Sequence, residues 1–317
     1  MPVGMVGPIV TLTLNPSLDL SSAVDRVQPE RKLRCAPPTR EPGGGGINVA
    51  RVAKRLGAET VAVLPAGGST GLAIQQRLTE EGVPNLVIPV DADTRMSLSV
   101  QDRSAGSQYR FVLPGPLLTS AELASVIDAV VTVETDPGCV VISGSLPPGV
   151  SPLIISELAE AFRNRNPPGP PILVDTSGEA LRAAINCPGV IIKPSVRELE
   201  LLLDRPLHDE ADVVTAATEL IGGSRCEALI VSIGSGGAFV VQRDEPSVRL
   251  RAPTVKVRSA VGAGDSLVAG IAVGISRGEP LVEAARLGVA AGTATVLSEG
   301  TNLCRPEDVE RLLLLVT

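Results

Sequence analysis

Short apolar, β-branched runs alternate with helical periods along most of the chain, and this rhythm is what most narrows the fold. The runs are Ile9 to Leu14, Thr60 to Leu64, Cys139 to Ser143, Ile172 to Asp175, Val190 to Lys193 and Ala228 to Ile233. Between them, residues 48–56, 72–81, 120–133, 152–162, 197–203, 213–221 and 265–277 place apolar side chains at helix-like spacings. Strands separated by helices pair in parallel and are covered on both faces, which predicts a three-layer α/β/α, Rossmann-like fold with a mostly parallel sheet. Ligands in such sheets sit beyond the C-terminal strand ends, so residues just after each strand are the candidates for chemistry.

Two stretches break the rhythm. Residues 16–40 are polar and strand-like, and residues 94–112 alternate around Ser104-Ala-Gly-Ser107, a hairpin signal. Together they predict a small β lid of residues 15–40 and 94–112 over a main domain of residues 1–14, 41–93 and 113–317. An exposed sheet of this kind is also a candidate for self-association into a homodimer.

At 317 residues, length alone leaves one or two domains open. A net charge of −7, with one Tyr, three Phe and no Trp, argues against nucleic acid as a partner. The five cysteines are scattered, without CxxC or Cys/His spacing, so neither a disulfide framework nor a zinc site is expected and a reducing cytoplasm fits. The apolar opening Met1 to Leu14 lacks a basic start and reads as a first strand rather than a signal peptide. No membrane span is expected.

Near the C-terminus, Val261-Gly-Ala-Gly-Asp-Ser266 opens a helix. Unpaired N–H groups at a helix start favour an anion, and the small residues Gly262, Ala263 and Gly264 allow its close approach. Asp265 beside a bound anion makes chemical sense as a base that takes a proton from an attacking hydroxyl, although an acidic first helical turn explains it equally. No Gly-Lys-Ser/Thr follows, and Leu267 stands where a dinucleotide turn has its third glycine.

Gly44 and Gly45, in the run before Asn48, can bring backbone N–H groups against a sugar, with the Asn48 amide available to hydroxyls. Asp19, after the first strand, can accept two hydrogen bonds from a diol, or merely cap a turn. Lys32, Arg34 and Arg95 lie in the two lid stretches, where they can offset a substrate phosphate or simply solubilise the sheet. Ser145 follows a buried strand and can add a hydroxyl to the same phosphate. Ser195-Val-Arg-Glu198 is a capping box, or alternatively Glu198 is a carboxylate for Mg2+ through water, with Lys193 on nucleotide phosphates. Asp175 can join that metal shell or cap the following turn. Ser232, Gly234 and Gly237 form a further strand-to-glycine loop at the same edge. The single His208 assembles no catalytic triad.

In this order, Glu41-Pro-Gly-Gly-Gly-Gly-Ile-Asn-Val-Ala-Arg51, Gln108-Tyr-Arg-Phe111, Ile142-Ser-Gly-Ser-Leu-Pro-Pro-Gly149, Ser177-Gly-Glu-Ala-Leu181 and Val261-Gly-Ala-Gly-Asp-Ser266 resemble the ribokinase family of sugar kinases, in its hexose-phosphate subgroup. The resemblance spans nearly the whole chain. It implies a ribokinase-like fold and ATP- and Mg2+-dependent phosphorylation of the 1-hydroxyl of fructose 6-phosphate, a step of glycolysis. Tagatose 6-phosphate and fructose 1-phosphate are the alternative acceptors.

It further implies Asp265 as the base and Gly262, Ala263 and Gly264 as the anion hole. Asp19, Gly44, Gly45 and Asn48 match sugar positions, and Lys32, Arg34, Arg95 and Ser145 match positions around the 6-phosphate. Lys193, Ser195, Ser232, Gly234, Gly237 and Thr293 fall on the nucleotide side. Glu198 is implied for Mg2+, and Ser259, Val261 and Gly300 for K+. Ser195 stands where the family carries Asn. Because phosphoryl transfer needs little early proton removal, a carboxylate of ordinary low pKa is expected to suffice at Asp265. A non-catalytic sugar-phosphate sensor is the reading from another class.

Overall fold

A computed structural model describes residues 7–317 except 135, 166 and 299. The first six residues of the expected opening segment lie outside the described residues, as does residue 299 in the segment leading to Gly300.

The main sheet has nine strands. In chain order these are β1 (Ile9–Leu12), β4 (Thr60–Ala66), β5 (Asn85–Pro89), β8 (Cys139–Ser143), β9 (Ile172–Asp175), β10 (Val190–Ile192), β11 (Ala228–Ser232), β12 (Gly237–Gln242) and β13 (Val248–Arg251). They are arranged β13-β12-β11-β10-β9-β8-β1-β4-β5. From β5 to β11 every pairing is parallel, and β12 and β13 are added antiparallel. Strands β1 and β8 are buried along their whole length, as a parallel sheet covered on both faces requires.

One face is covered by α3 (Ser120–Thr132), α4 (Ile154–Arg165), α5 (Gly178–Ile185), α6 (Val196–Leu203) and α7 (Glu210–Gly223), which share a core with Val10, Leu12, Val140 and Val174. On the other face, α1 (Gly45–Arg55), α8 (Ala263–Ser276), α9 (Leu281–Thr295) and α10 (Pro306–Leu313) pack on Ile9, Val141, Leu173 and Ile230. A third cluster joins α1 and α2 (Gly68–Glu80) to β4 around Ile47, Leu64 and Ile74.

Helices α5, α9 and α10 and strands β5, β12 and β13 were not marked by the sequence pattern. In α9 the reason is physical: twelve of its fifteen residues are buried, so it lacks the polar face that makes a helical period visible. Helices α8 and α9 approach closely because their contacts are small. A Cβ on Gly270 would stand 2.6 Å from the Gly288 backbone, and one on Gly274 would stand 2.5 Å from Ala284.

The small sheet is β3-β2-β6-β7, built from β2 (Ser17–Val24), β3 (Thr39–Gly43), β6 (Arg95–Asp102) and β7 (Gln108–Val112). Strands β2 and β6 run parallel, with the two outer strands antiparallel to them. Its edge strand β3 extends into the glycine run, so the chain passes from β3 through Gly44 directly into α1, whose first residue is Gly45 rather than Asn48. The Asp102 carboxylate accepts N–H bonds from Val27, Ser104 and Ala105, tying the hairpin turn to the segment after β2.

Candidate active site

The parallel strands end at one edge, and the polar residues there are brought together by register. Ser143 pairs with Asp175 across β8 and β9, and its hydroxyl lies 3.4 Å from an Asp175 oxygen. Lys193, just beyond β10, pairs with Asp175 at 3.0 Å and is only 6% exposed. Its ammonium is therefore turned onto a carboxylate rather than onto open cleft. Burial alone would lower the Lys193 pKa, but Asp175, Glu198 and Asp265 outweigh it and hold it above the usual lysine value. Burial likewise pushes Asp175 above the usual carboxylate range, against the opposing pull of Lys193.

Helix α8 starts at this edge. Gly262 caps it with φ of 77°, a left-handed conformation that favours glycine; the Ala263 N–H donates to the Ala260 carbonyl at 3.4 Å, and a helix start leaves the next N–H groups, of Gly264 and Asp265, for an anion. In that turn Asp265 accepts a 2.8 Å hydrogen bond from Asn48 Nδ2. Burial, reinforced by the charge of Asp175, pushes Asp265 up to about 7, while Asn48 and Lys193 pull the other way. Phosphoryl transfer needs little early proton removal, and desolvation at the start of α8 makes this carboxylate a better proton acceptor than a solvated one.

The glycine run lies against the same groups. A Cβ on Gly43 would fall 2.3 Å from Asp19 Oδ2, and one on Gly45 would fall 2.2 Å from Ser143 Oγ, so bulk at either position would displace the site. Asp19 accepts a 2.6 Å bond from Ser17 Oγ. Burial raises its pKa, and Arg95, Arg110 and Arg51 are the cations that oppose this.

At the small-sheet end, Arg95 donates from Nε to Asn15 Oδ1 at 3.0 Å and from Nη2 to the Asn15 carbonyl at 3.1 Å. Asn15 Nδ2 in turn donates to Ser145 Oγ at 3.1 Å. Arg95 and Ser145 are thereby joined through Asn15, a residue that the sequence pattern does not single out. Lys32 and Arg34 are exposed on the β2–β3 connection. Arg110 acts on Asp19 and lines a small cavity with Asp19, Ser97, Ser99 and Val261. The alternation Gln108-Tyr-Arg-Phe, which puts Arg110 on the face opposite Tyr109 and Phe111, was the available signal.

On the other side of α8, Ser232, Gly234, Gly237 and Thr293 line one cavity of about 510 Å³ together with Gly264 and Leu267. Pro253, Val255, Val257 and Val296 give it aliphatic walls. Ser195 bridges to Ser232, so the Lys193-to-Glu198 segment adjoins this loop. The Ser195–Glu198 capping box is formed: Glu198 Oε2 accepts from Ser195 N–H at 2.7 Å and from its hydroxyl at 2.8 Å. Ser259 Oγ donates to the Gly300 carbonyl at 2.5 Å and accepts from Val261 N–H at 3.3 Å, joining the three residues.

An aliphatic slot, a helix start bearing a half-buried carboxylate and a group of polar residues near the small sheet thus lie on one edge of the α/β/α fold, the arrangement a kinase of small alcohols needs. Residues 12–308 match the family model described as pfkB family carbohydrate kinase, and the chain belongs to that family. It is 45% identical over 303 residues to ATP-dependent 6-phosphofructokinase isozyme 2 of Mycobacterium tuberculosis, covering 96% of this chain and 88% of that one. The phosphofructokinase-2 of Escherichia coli in complex with potassium is 40% identical and superposes with a TM-score of 0.92, covering 98% and 99% of the two chains. Its complex with fructose-6-phosphate gives 38% identity and a TM-score of 0.90 over the same shares. The 1-phosphofructokinase of Bacillus subtilis is more distant, at 32% identity over 95% or more of each chain (96% and 97%).

Proposed function

We propose that this kinase transfers the γ-phosphoryl group of ATP to the 1-hydroxyl of fructose 6-phosphate. The observation that carries this reading is the pairing of a raised-pKa carboxylate, Asp265, with an Arg95–Asn15–Ser145 hydrogen-bonded chain that can anchor a second, non-reacting phosphate. A neutral sugar has no use for that chain. The 45% identity to a 6-phosphofructokinase, against 32% to a 1-phosphofructokinase, favours fructose 6-phosphate over fructose 1-phosphate.

In this reading Asp19 and the remaining Asn48 N–H orient the sugar, and Gly44 and Gly45 let it approach the backbone. Asp265 takes the hydroxyl proton at Oδ as the oxygen–phosphorus bond forms and the bond from the γ-phosphorus to the bridging oxygen breaks to release ADP, and the amides from Gly262 to Gly264 stabilise the charge of the transferring group. The nucleotide occupies the slot of Ser232, Gly234, Gly237 and Thr293. Glu198 has its Oε2 bonded within the capping box, which leaves Oε1 as a single carboxylate donor beside the nucleotide slot. That donor set fits Mg2+, which takes most of its ligands from phosphates and water and would neutralise their charge when bound. Ser259, Val261 and Gly300 would hold K+. The cytoplasm is the expected compartment.

The small sheet serves as a lid and as the surface of a homodimer. Leu20, Leu98 and Phe111 stand side by side in register on one face, with Leu98 41% and Phe111 54% exposed.

A panel measuring ATP consumption with fructose 6-phosphate, fructose 1-phosphate, tagatose 6-phosphate, ribose and adenosine tests the proposal. The highest kcat/KM is expected with fructose 6-phosphate. Preference for another acceptor overturns the substrate, and binding without turnover makes the protein a sensor.

A further inference from the structure

We propose that Arg51, held by Glu81, is a positioning residue that fixes the Asn48 amide so that its N–H, and not its carbonyl, faces Asp265. The inference rests on the reading of Asp265 as the base.

Arg51 lies on α1 three residues after Asn48 and is 5% exposed. A buried guanidinium is costly unless its donors are paired, and here they are. Nε and Nη2 grip Glu81 at 2.7 and 2.8 Å, while Nη1 meets the Pro42 carbonyl and Asn48 Oδ1, each at 3.3 Å. Glu81 follows the last turn of α2, so the anchor comes from outside the cleft.

The two ends of a side-chain amide are nearly the same in shape, and their neighbours decide which end points where. Arginine only donates. It therefore claims Oδ1 and leaves Nδ2 to donate to Asp265 at 2.8 Å. In the reversed amide, N–H would face guanidinium and carbonyl would face carboxylate, two repulsive pairings. The charged groups facing Asp265 are Asp175 from β9, Lys193 after β10 and Asp19 from β2. Among these neighbours, Asn48 is the one whose polarity a rotation can reverse.

The test follows the 13Cγ shift of Asp265 against pH in the ligand-free protein, with the resonance assigned by its absence in Asp265→Asn. The midpoint is expected to rise by roughly half to one pH unit in Arg51→Met and in Asn48→Ala, because the second removes the donor that favours the carboxylate and the first frees that donor to rotate away. In the double variant it should rise no further than in Asn48→Ala alone. A wild-type midpoint in folded Arg51→Met overturns the inference. So does an additive shift in the double variant, which would mean that Arg51 acts by its charge alone. If calorimetry shows Arg51→Met unfolded, Glu81→Gln at the half-buried anchor should move the midpoint the same way by less, and no movement overturns the inference. The acid limb of kcat/KM should follow the same shifts. Because the titration needs no substrate, failure of the proposed reaction would appear separately, as absent turnover by the wild type.

Discussion

The two sheets of this protein treat their side chains in opposite ways. In the nine-stranded sheet, β1 and β8 are wholly buried and helices seal both faces, whereas every residue of β7 in the four-stranded sheet is exposed. The difference divides the labour of the site. The large sheet and α8 supply a desolvated end where a carboxylate becomes basic, and the small sheet supplies an open end where charged groups can meet a charged substrate. In the proposed reaction, chemistry that depends on low dielectric would sit on the first, and recognition that tolerates water on the second.

The largest break in this division is expected from Asp265→Asn, which should lower kcat by about 10³-fold or more with modest change in KM for the sugar. Near-normal kcat would remove Asp265 from its role. In the wild type, kcat/KM should fall as pH drops through about 7, the value to which burial pushes Asp265. The stability effect has a definite sign. A carboxyl raised on folding favours the protonated native state, so its contribution is present at low pH and is lost as pH rises from the unfolded value of about 3.8 toward about 7. Asp265→Asn should therefore match or exceed the wild-type Tm at pH 8.

Next in size, Gly270→Val should destabilise the large-sheet side by roughly 3 kcal/mol, because its side chain would meet the Gly288 backbone with no room to move. Chemical denaturation measures this, and a loss below about 1 kcal/mol would show that α8 and α9 can separate. At the open end, Arg95→Met should raise KM for fructose 6-phosphate by roughly 10- to 100-fold with little change for ribose, since a hydrogen-bonded charge is worth about 1.5–3 kcal/mol. Lys32→Met should do less, because Lys32 is exposed on the connection between β2 and β3. The smallest effect on folding is expected from Phe111→Ser, within about 0.5 kcal/mol as a surface change. Sedimentation should nevertheless show a shift from dimer toward monomer, and an unchanged oligomer would remove this face from the interface.

Much of the fold was readable because it rests on local periodicity: β1, β8 and β9, the hairpin of β6 and β7, and helices α3 and α7 each carry their own pattern. The pattern failed where burial erases contrast, as in α9, and where a strand joins antiparallel at the sheet edge without a helix to announce it, as in β12 and β13. At the site, Asp265, Asn48 and Arg95 were legible from their motifs. Asn15, Arg51 and Arg110 were not singled out, because nothing in a sequence says that Asn15 spans from Arg95 to Ser145, or that a helix residue at 51 will find a carboxylate at 81.

What the sequence determined by itself was the strand-and-helix alternation of the large sheet's central part, the helix start bearing an acid, and the two polar stretches that supply most of the small sheet. Those follow from spacing and from local backbone preference. Only the tertiary structure decided the proton affinity of Asp265, the pairing of Lys193 with Asp175 and the orientation of the Asn48 amide. Each of these is set by desolvation and by partners distant in the chain, and such energies exist only once the strands are side by side.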